Sequence, residues 1–255
     1  IVEFILKFLY VDDNGADSIY EYFREQYLYA KIPHDKKIVI ELYRADRGLM
    51  YIFHTLYGRR VNDCLSRAVG FVVSKQLHKD VELGINDNGF YIMPGKTVDM
   101  VGYLKMLKPD KLDLVMKLAI DKTEVLKRRF RHCATRALMI LRSYMGKQKR
   151  VGKQQVSSMI LMNALKLINP DFSIIKEARR EVLEDLMDIE NTKLVLEMLE
   201  ENEIKITQLE TQIPSPFAFN LATQGYADIM RMEDRIEFLR RMHQMVLAKI
   251  SLKKD

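Results

Sequence analysis

Residues 146–155 read GKQKRVGKQQ, a string that invites comparison with a phosphate-binding loop. Such a loop needs G-x-x-x-x-G-K-[ST], so that backbone N–H groups wrap the phosphates and a hydroxyl reaches magnesium. Here Gly146 and Gly152 are six apart rather than five, and Gln154 stands where the Ser or Thr belongs. The chain by itself is therefore not expected to hydrolyse ATP. Glu184, Asp185 and Asp188 lie close together in REVLEDLMDIEN, but their spacing suits a solvated helix face with i,i+4 ion pairs better than acid–base catalysis. Cys64 and Cys133 form no CxxC, and the five histidines show neither HxxxH nor HExxH spacing, so the common zinc motifs are missing. No G-x-S-x-G elbow is present.

The residues that remain are cations. From Lys122 to Lys153 eleven Lys or Arg stand against a single acid, Glu124, in a chain whose formal net charge is +6. Cations one helical turn apart lie about 5–6 Å from each other, a spacing suited to the phosphates of one strand. In LKRRFRHCATRALMILR the stripe Phe130, Ala134, Ala137, Leu138 and Leu141 is expected to be buried. That leaves Arg128, Arg131, Arg142 and Arg136 around it. The glycine-bearing segment that follows carries Lys147, Lys149, Arg150 and Lys153, with Gln154 and Gln155 offering amides to sugars or base edges. A second cluster, Arg59 and Arg60, follows Gly58 at a strand-to-helix junction, where free N-terminal amides favour an anion. The expected nucleic-acid-binding residues are thus Arg59, Arg60, Arg128, Arg131, Lys147, Lys149, Arg150, Lys153 and Gln154. Two bland alternatives stand beside this. The basic window can dock on residues 177–210, where eleven acids meet four bases, and Arg59 or Arg60 can pair with Asp63 or Glu41.

The elements that must position these residues follow from periodicity. With 255 residues, 48% of them apolar, the chain can bury a sizeable core. No apolar run approaches the roughly 20 residues of a membrane span, and no signal peptide is visible. Two cysteines fit a reducing cytoplasm. The chain begins with Ile, which reads as a fragment of something longer. VDDNGADS reads as a loop, with Ser18 capping a helix that Pro33 ends. KIVIELYRA and LMYIFHTLY alternate with period two about DRG, a hairpin. The next segment places Val61, Leu65, Ala68, Val69, Val72 and Leu77 on one helical face. DVELGI and FYIMP flank NDNG, a second hairpin with Asn88–Gly89 expected at the turn in positive φ. Beyond Pro94 helices are expected over Val98–Leu107, Lys111–Ala119, Thr123–Tyr144, Lys153–Ile168, Phe172–Asp188, Asn191–Glu201 and from about Asp228 onward. IKITQLE reads as one short strand and IPSPF as a rigid break. The fold class is α+β: a small ββαββ sheet module followed by a mostly α-helical bundle. The expected divisions are residues 1–35, an N-terminal helical segment continuing from an upstream domain, then 36–94 and 95–255.

Taken in order, FHTLYGRRVNDCLSRA, NDNGF, RRFRHCATRALMILR, REVLEDLMDIENTKLVLEMLE and PSPFAFNLA resemble the C-terminal region of the large helicase-related (Lhr) proteins, of archaeal type, from about Ser18 to Ala222. These are ATP-dependent superfamily 2 helicases. The resemblance implies a parent with two motor domains, a winged-helix domain and a large C-terminal domain, moving 3′ to 5′ on single-stranded DNA and unwinding DNA or RNA–DNA duplexes, in the service of DNA repair. It implies ATP and Mg²⁺ in the motor domains and no cofactor in these residues. The implied partners are single-stranded DNA or an RNA–DNA hybrid and the upstream motor and winged-helix domains, with no membrane. The family's tryptophan-containing segment has no counterpart, since the chain has no Trp. The function expected is an accessory nucleic-acid-binding domain lining the path of the translocated strand. The alternative is a protein-interaction or structural domain whose basic patch is satisfied internally.

Overall fold

The computed structural model describes residues 1–45, 48–148, 150–224 and 232–252; Lys149 and the Asp46–Arg47 turn of the first expected hairpin lie outside them. The architecture is α+β. Helices α1 (Val2–Phe8) and α2 (Asp13–Tyr29) come first. The loop expected at VDDNGADS is instead the start of α2. Asp12 caps it by accepting the Gly15 N–H at 2.7 Å, and Ser18, expected to be the cap, sits inside the helix and donates to the Asn14 carbonyl. The nearer carboxylate satisfies a free first-turn amide, so the helix begins there.

Strands β1 (Lys37–Ala45) and β2 (Gly48–His54) pair antiparallel, followed by α3 (Arg59–Leu77) and the hairpin β3 (Glu82–Asn86) and β4 (Gly89–Met93). The turn of that hairpin is centred on Asp87 and Asn88, neither in positive φ. Gly89 lies within β4, opposite His54, where a Cβ would fall 2.0 Å from the Phe53 carbonyl oxygen. The glycine is required by close backbone approach rather than by a left-handed turn.

The remaining chain supplies α4 (Met100–Met106), α5 (Leu112–Ile120), α6 (Glu124–Arg136), a two-residue ladder of β5 (Ser143–Tyr144) with β6 (Lys147–Gln148), α7 (Val151–Ile168), α8 (Ser173–Arg180), α9 (Ile189–Glu200), β7 (Lys205–Thr211), α10 (Phe219–Gln224) and α11 (Met232–Leu252). A single π-helical turn, Glu181–Leu186, interrupts the helix expected over Phe172–Asp188. The segment IKITQLE does not stand alone. It is β7, an edge strand parallel to β1, which completes a sheet of order β3-β4-β2-β1-β7. The sheet therefore draws on residues either side of position 94.

Strand alternation predicts one buried face, yet both faces of the sheet are covered. Ile38, Ile40, Phe53 and Phe90 meet Val61, Leu65, Ala68 and Val69 of α3, with Phe53 and Phe90 stacked at 4.4 Å. Tyr43, Met50, Ile52 and Tyr91 on the other face are covered by Ala218, Leu221 and Ala222. The segment after IPSPF is thus a lid on the sheet. Helix α11 packs against α2 in a smaller cluster around Tyr29, Phe238, Met242 and Val246.

One polar group lies deep in this frame. Glu41 of β1 has no exposed surface. Its carboxylate accepts from Thr211 Oγ1 (2.7 Å), from Ser215 N–H and Oγ (2.7 Å each), and lies 3.2 Å from His54 Nε2. It joins β1 to β2, to β7 and to the chain that enters the lid. Burial works to raise its pKa, but the bond and charge of His54, with the bonds from Ser215 and Thr211, hold it below the ordinary carboxylate value.

Candidate nucleic-acid interface

Glu124–Arg136 form α6 for a local reason. Thr123 caps it by accepting the Leu126 N–H, and Leu126, Phe130, Cys133 and Ala134 make a buried stripe at helical spacing. The helix does not run on to Tyr144 as expected. Leu138 turns the chain with φ 57°, and the Ala134 carbonyl accepts from both Met139 and Ile140. Ile140 is then buried, while Ala137, Leu138 and Leu141 are exposed. This corrects the expected stripe, of which Phe130 and Ala134 are buried and Ala137, Leu138 and Leu141 are not. Met145 and Gly146, at φ 48° and 73°, close the small β5–β6 hairpin, the positive-φ pair of a tight hairpin turn. Within GKQKRVGKQQ, Lys147 and Gln148 form β6 and residues from Val151 onward form the first turn of α7, either side of Lys149, which is not among the described residues. A phosphate-wrapping loop instead runs from a strand straight into a helix N-terminus.

Arg59 and Arg128 come together. With Arg129, Arg136, Arg142 and His132 they line a cleft of about 520 Å³ between the start of α3 and one face of α6, closed by Val125 and Leu186. Five arginines line it against one acid, Asp63, and that acid is held by Arg67 at 2.7 Å. Arg59 stands at the first position of α3, whose N-terminal amides have no side-chain cap after Gly58. Burial, then the charges of Arg131, Arg129, Arg142 and Arg136, holds the His132 imidazole below its ordinary pKa.

Docking of the basic window onto the acid-rich helices is real but partial. Arg129 and Arg136 both pair with Glu181, whose side chain is 4% exposed. The other acids nearby are engaged elsewhere: Arg180 binds Glu177, Glu184 and Asp185. Among the described residues no acid pairs with Arg59, Arg128, Arg131, Arg142, Lys147, Arg150 or Lys153. Arg131, Lys147, Arg150, Lys153 and Gln154 do not line the cleft; the last four lie on β6, before α7 and in its first turn.

Arg60 has a different position from its neighbour. It donates to the carbonyls of Glu184 and, at 3.0 Å, Met187, at the end of the π-helical turn. Neither Arg59 nor Arg60 pairs with Asp63 or Glu41, whose partners are Arg67 and the buried network described above. Arg60→Ala is expected to lower stability by about 1–2 kcal/mol, because two carbonyls lose a charged donor. Arg59→Ala leaves the melting temperature unchanged. Thermal melts of the two single variants check this, and identical melts would show that Arg60 carries no structural weight.

Sequence reasoning passed over Arg129 and His132. The signal was there: Val125, Arg128, Arg129, His132 and Arg136 follow i, i+3, i+4, i+7, i+11, one face of a helix. A count of charges along the chain does not reveal it.

The chain matches the model of the family described as DEAD/H associated over residues 32–218. It is 51% identical over 251 residues to the ATP-dependent helicase Lhr-Core of Methanothermobacter thermautotrophicus, covering 98% of this chain and 29% of that protein. Identity to the ATP-dependent helicase Lhr-Core of Saccharolobus solfataricus is 41% over 255 residues, covering 97% of this chain and 29% of that protein. Among solved structures, that of the Mycobacterium smegmatis helicase Lhr bound to ssDNA and AMP-PNP superposes with a TM-score of 0.73 at 28% identity, over 82% of this chain and 27% of that one. The chain spans less than a third of the length of these relatives.

Proposed function

Because the chain belongs to the DEAD/H associated family and is an archaeal-type counterpart of part of the Lhr helicases, we propose that it is a nucleic-acid-binding domain of an ATP-dependent helicase. In this reading it holds the single strand on which the parent moves. The observation that carries the reading is the arginine cleft between α3 and α6, where Arg59, Arg128 and Arg142 face the opening without an acid partner among the described residues. A row of unpaired guanidinium groups is stabilised by a polyanion and by little else on a water-exposed surface. Arg131, Lys147, Arg150, Lys153 and Gln154, which do not line the cleft, are assigned to a second, looser set of backbone contacts, together with Lys149, which lies outside the described residues. Hydrolysis of ATP with Mg²⁺ is assigned to other parts of the parent protein, as are contacts with motor and winged-helix domains. The solved relative bound to ssDNA supports single-stranded DNA as the first ligand to test, with an RNA–DNA hybrid second.

The test is a salt titration. Binding of a labelled oligothymidylate to the 255-residue chain, followed by fluorescence anisotropy, is expected to weaken linearly in log Kd against log salt. The slope is about 0.7 per phosphate contact on a single strand. Binding that ignores salt, or no binding at low salt, sinks the reading in favour of a structural or protein-interaction role.

A further inference from the structure

Helix α3 opens into two clefts, not one. Its first turn, through Arg59 and Asp63, lines the arginine cleft. Its later turns, through Gly70, Phe71 and Ser74, line a larger cleft of about 1010 Å³ bounded by the end of α5 and by residues 121–123. The approach to α6 behaves the same way: Lys122 and Thr123 face the large cleft, Arg128 and His132 the arginine cleft. Asp63 and Arg67, one turn apart and joined at 2.7 Å, line one cleft each and form the seam between them.

The large cleft is also basic. Lys75, Lys79 and Lys122 have no acid partner among the described residues, whereas Lys117 is taken by Asp171 and Arg179 by Asp121 and Asp171. Of its two acids, Asp121 is already held by Lys166 and Arg179. Phe71 is partly exposed, and the Lys75 ammonium sits 5.4 Å from its ring centroid. A flat ring beside free cations is the pairing that holds a base and its phosphate together.

We propose that the large cleft continues the nucleic-acid path, so that one strand follows α3 from Arg59 past the Asp63–Arg67 seam to Phe71, Lys75 and Lys79. The proposal rests on the strand-binding reading of the arginine cleft. The sixteen steps of helix from Arg59 to Lys75 rise about 24 Å, room for about four nucleotides of an extended strand whose phosphates match cations one helical turn, about 5–6 Å, apart. An acidic peptide would also satisfy the lysines. The ring of Phe71 and the continuity with a second basic cleft favour a strand.

The experiment compares oligothymidylates of about three and about sixteen nucleotides on the wild-type chain and on a Lys75→Glu/Lys79→Glu variant. Both lysines are exposed, and a melt confirms that the variant is folded. The variant is expected to bind the long oligonucleotide about tenfold more weakly at 0.15 M salt, with a salt slope smaller by about 1.4, since each lost contact removes about 0.7 from the exponent. Its affinity for the short one stays within about twofold of wild type. If the variant binds both lengths as wild type does, the path ends in the arginine cleft, and the inference fails while the function stands. If wild type binds neither length, the function and the inference fall together. If the variant loses poly-glutamate binding but keeps the long oligonucleotide, the cleft is a peptide site and the inference is overturned.

Discussion

Changing Arg59, Arg128 and Arg142 together to glutamate lowers affinity for a single strand roughly fifty-fold at 0.15 M salt, because three phosphate contacts at about 0.7 each are lost from the salt exponent. The slope of log Kd against log salt shrinks by about two. The melting temperature moves by about 2 °C or less, since exposed substitutions usually stay within about 0.5 kcal/mol. The choice of residues is what makes the result readable. Arg129 and Arg136 line the same cleft, but they hold the buried Glu181. Removing them would leave a carboxylate without its partner and mix a stability loss into the binding measurement. Arg59, Arg128 and Arg142 carry no such duty among the described residues. Affinity that survives the triple change, with a lower melting temperature, would mean that the arginines hold the fold together.

The largest stability effect is expected at Glu41. Glu41→Ala removes the acceptor shared by His54, Thr211 and Ser215, all buried, and destabilises the domain by about 3–5 kcal/mol, the usual range for breaking a buried charged network. Glu41→Gln keeps the shape and one acceptor oxygen, so it is the milder change. Acid distinguishes the two forms. A carboxylate held below its ordinary pKa contributes stability that is present above the unfolded value, about 4.3, and is lost as pH falls through the folded value. The gap in melting temperature between wild type and Glu41→Gln should therefore be full at neutral pH and narrow below about pH 4. A gap that stays constant on acidification would show that Glu41 is not ionised in the fold.

Much of this was legible in the sequence, and the exceptions have physical causes. The ββαββ unit could be read because its strands and helix are set by neighbours in sequence: β-branched runs, turn residues and one apolar helical face. The second cover on the sheet could not. Whether Ile52 faces water or Ala218 and Leu221 depends on a segment more than 160 residues away, and nothing local to β2 records it. The same holds for β7, which looks like an isolated strand until its partner is known. Within the site, Arg59 and Arg128 were legible from charge alone. That Arg60 instead serves the π-helical turn was not, since its acceptors are two backbone carbonyls, which carry no side-chain signature. The break after α6 turned on Leu138 taking positive φ, a conformation that a leucine does not advertise.

The parallel pairing of β7 with β1 also sets a schedule for folding. Glu41 and Thr211 are separated by 170 positions, and a parallel strand needs its crossover in place before it can pair. During synthesis β1–β4 and α3 emerge long before β7, so the β7-pairing edge of β1 waits open and the Glu41 carboxylate has His54 but not yet Thr211 or Ser215. Closing a loop of this length is slow relative to local helix formation. Refolding from denaturant should accordingly show early helical signal and a later phase that depends on Glu41. Until that phase is complete, the exposed edge of β1 is the place where two unfinished chains would find each other.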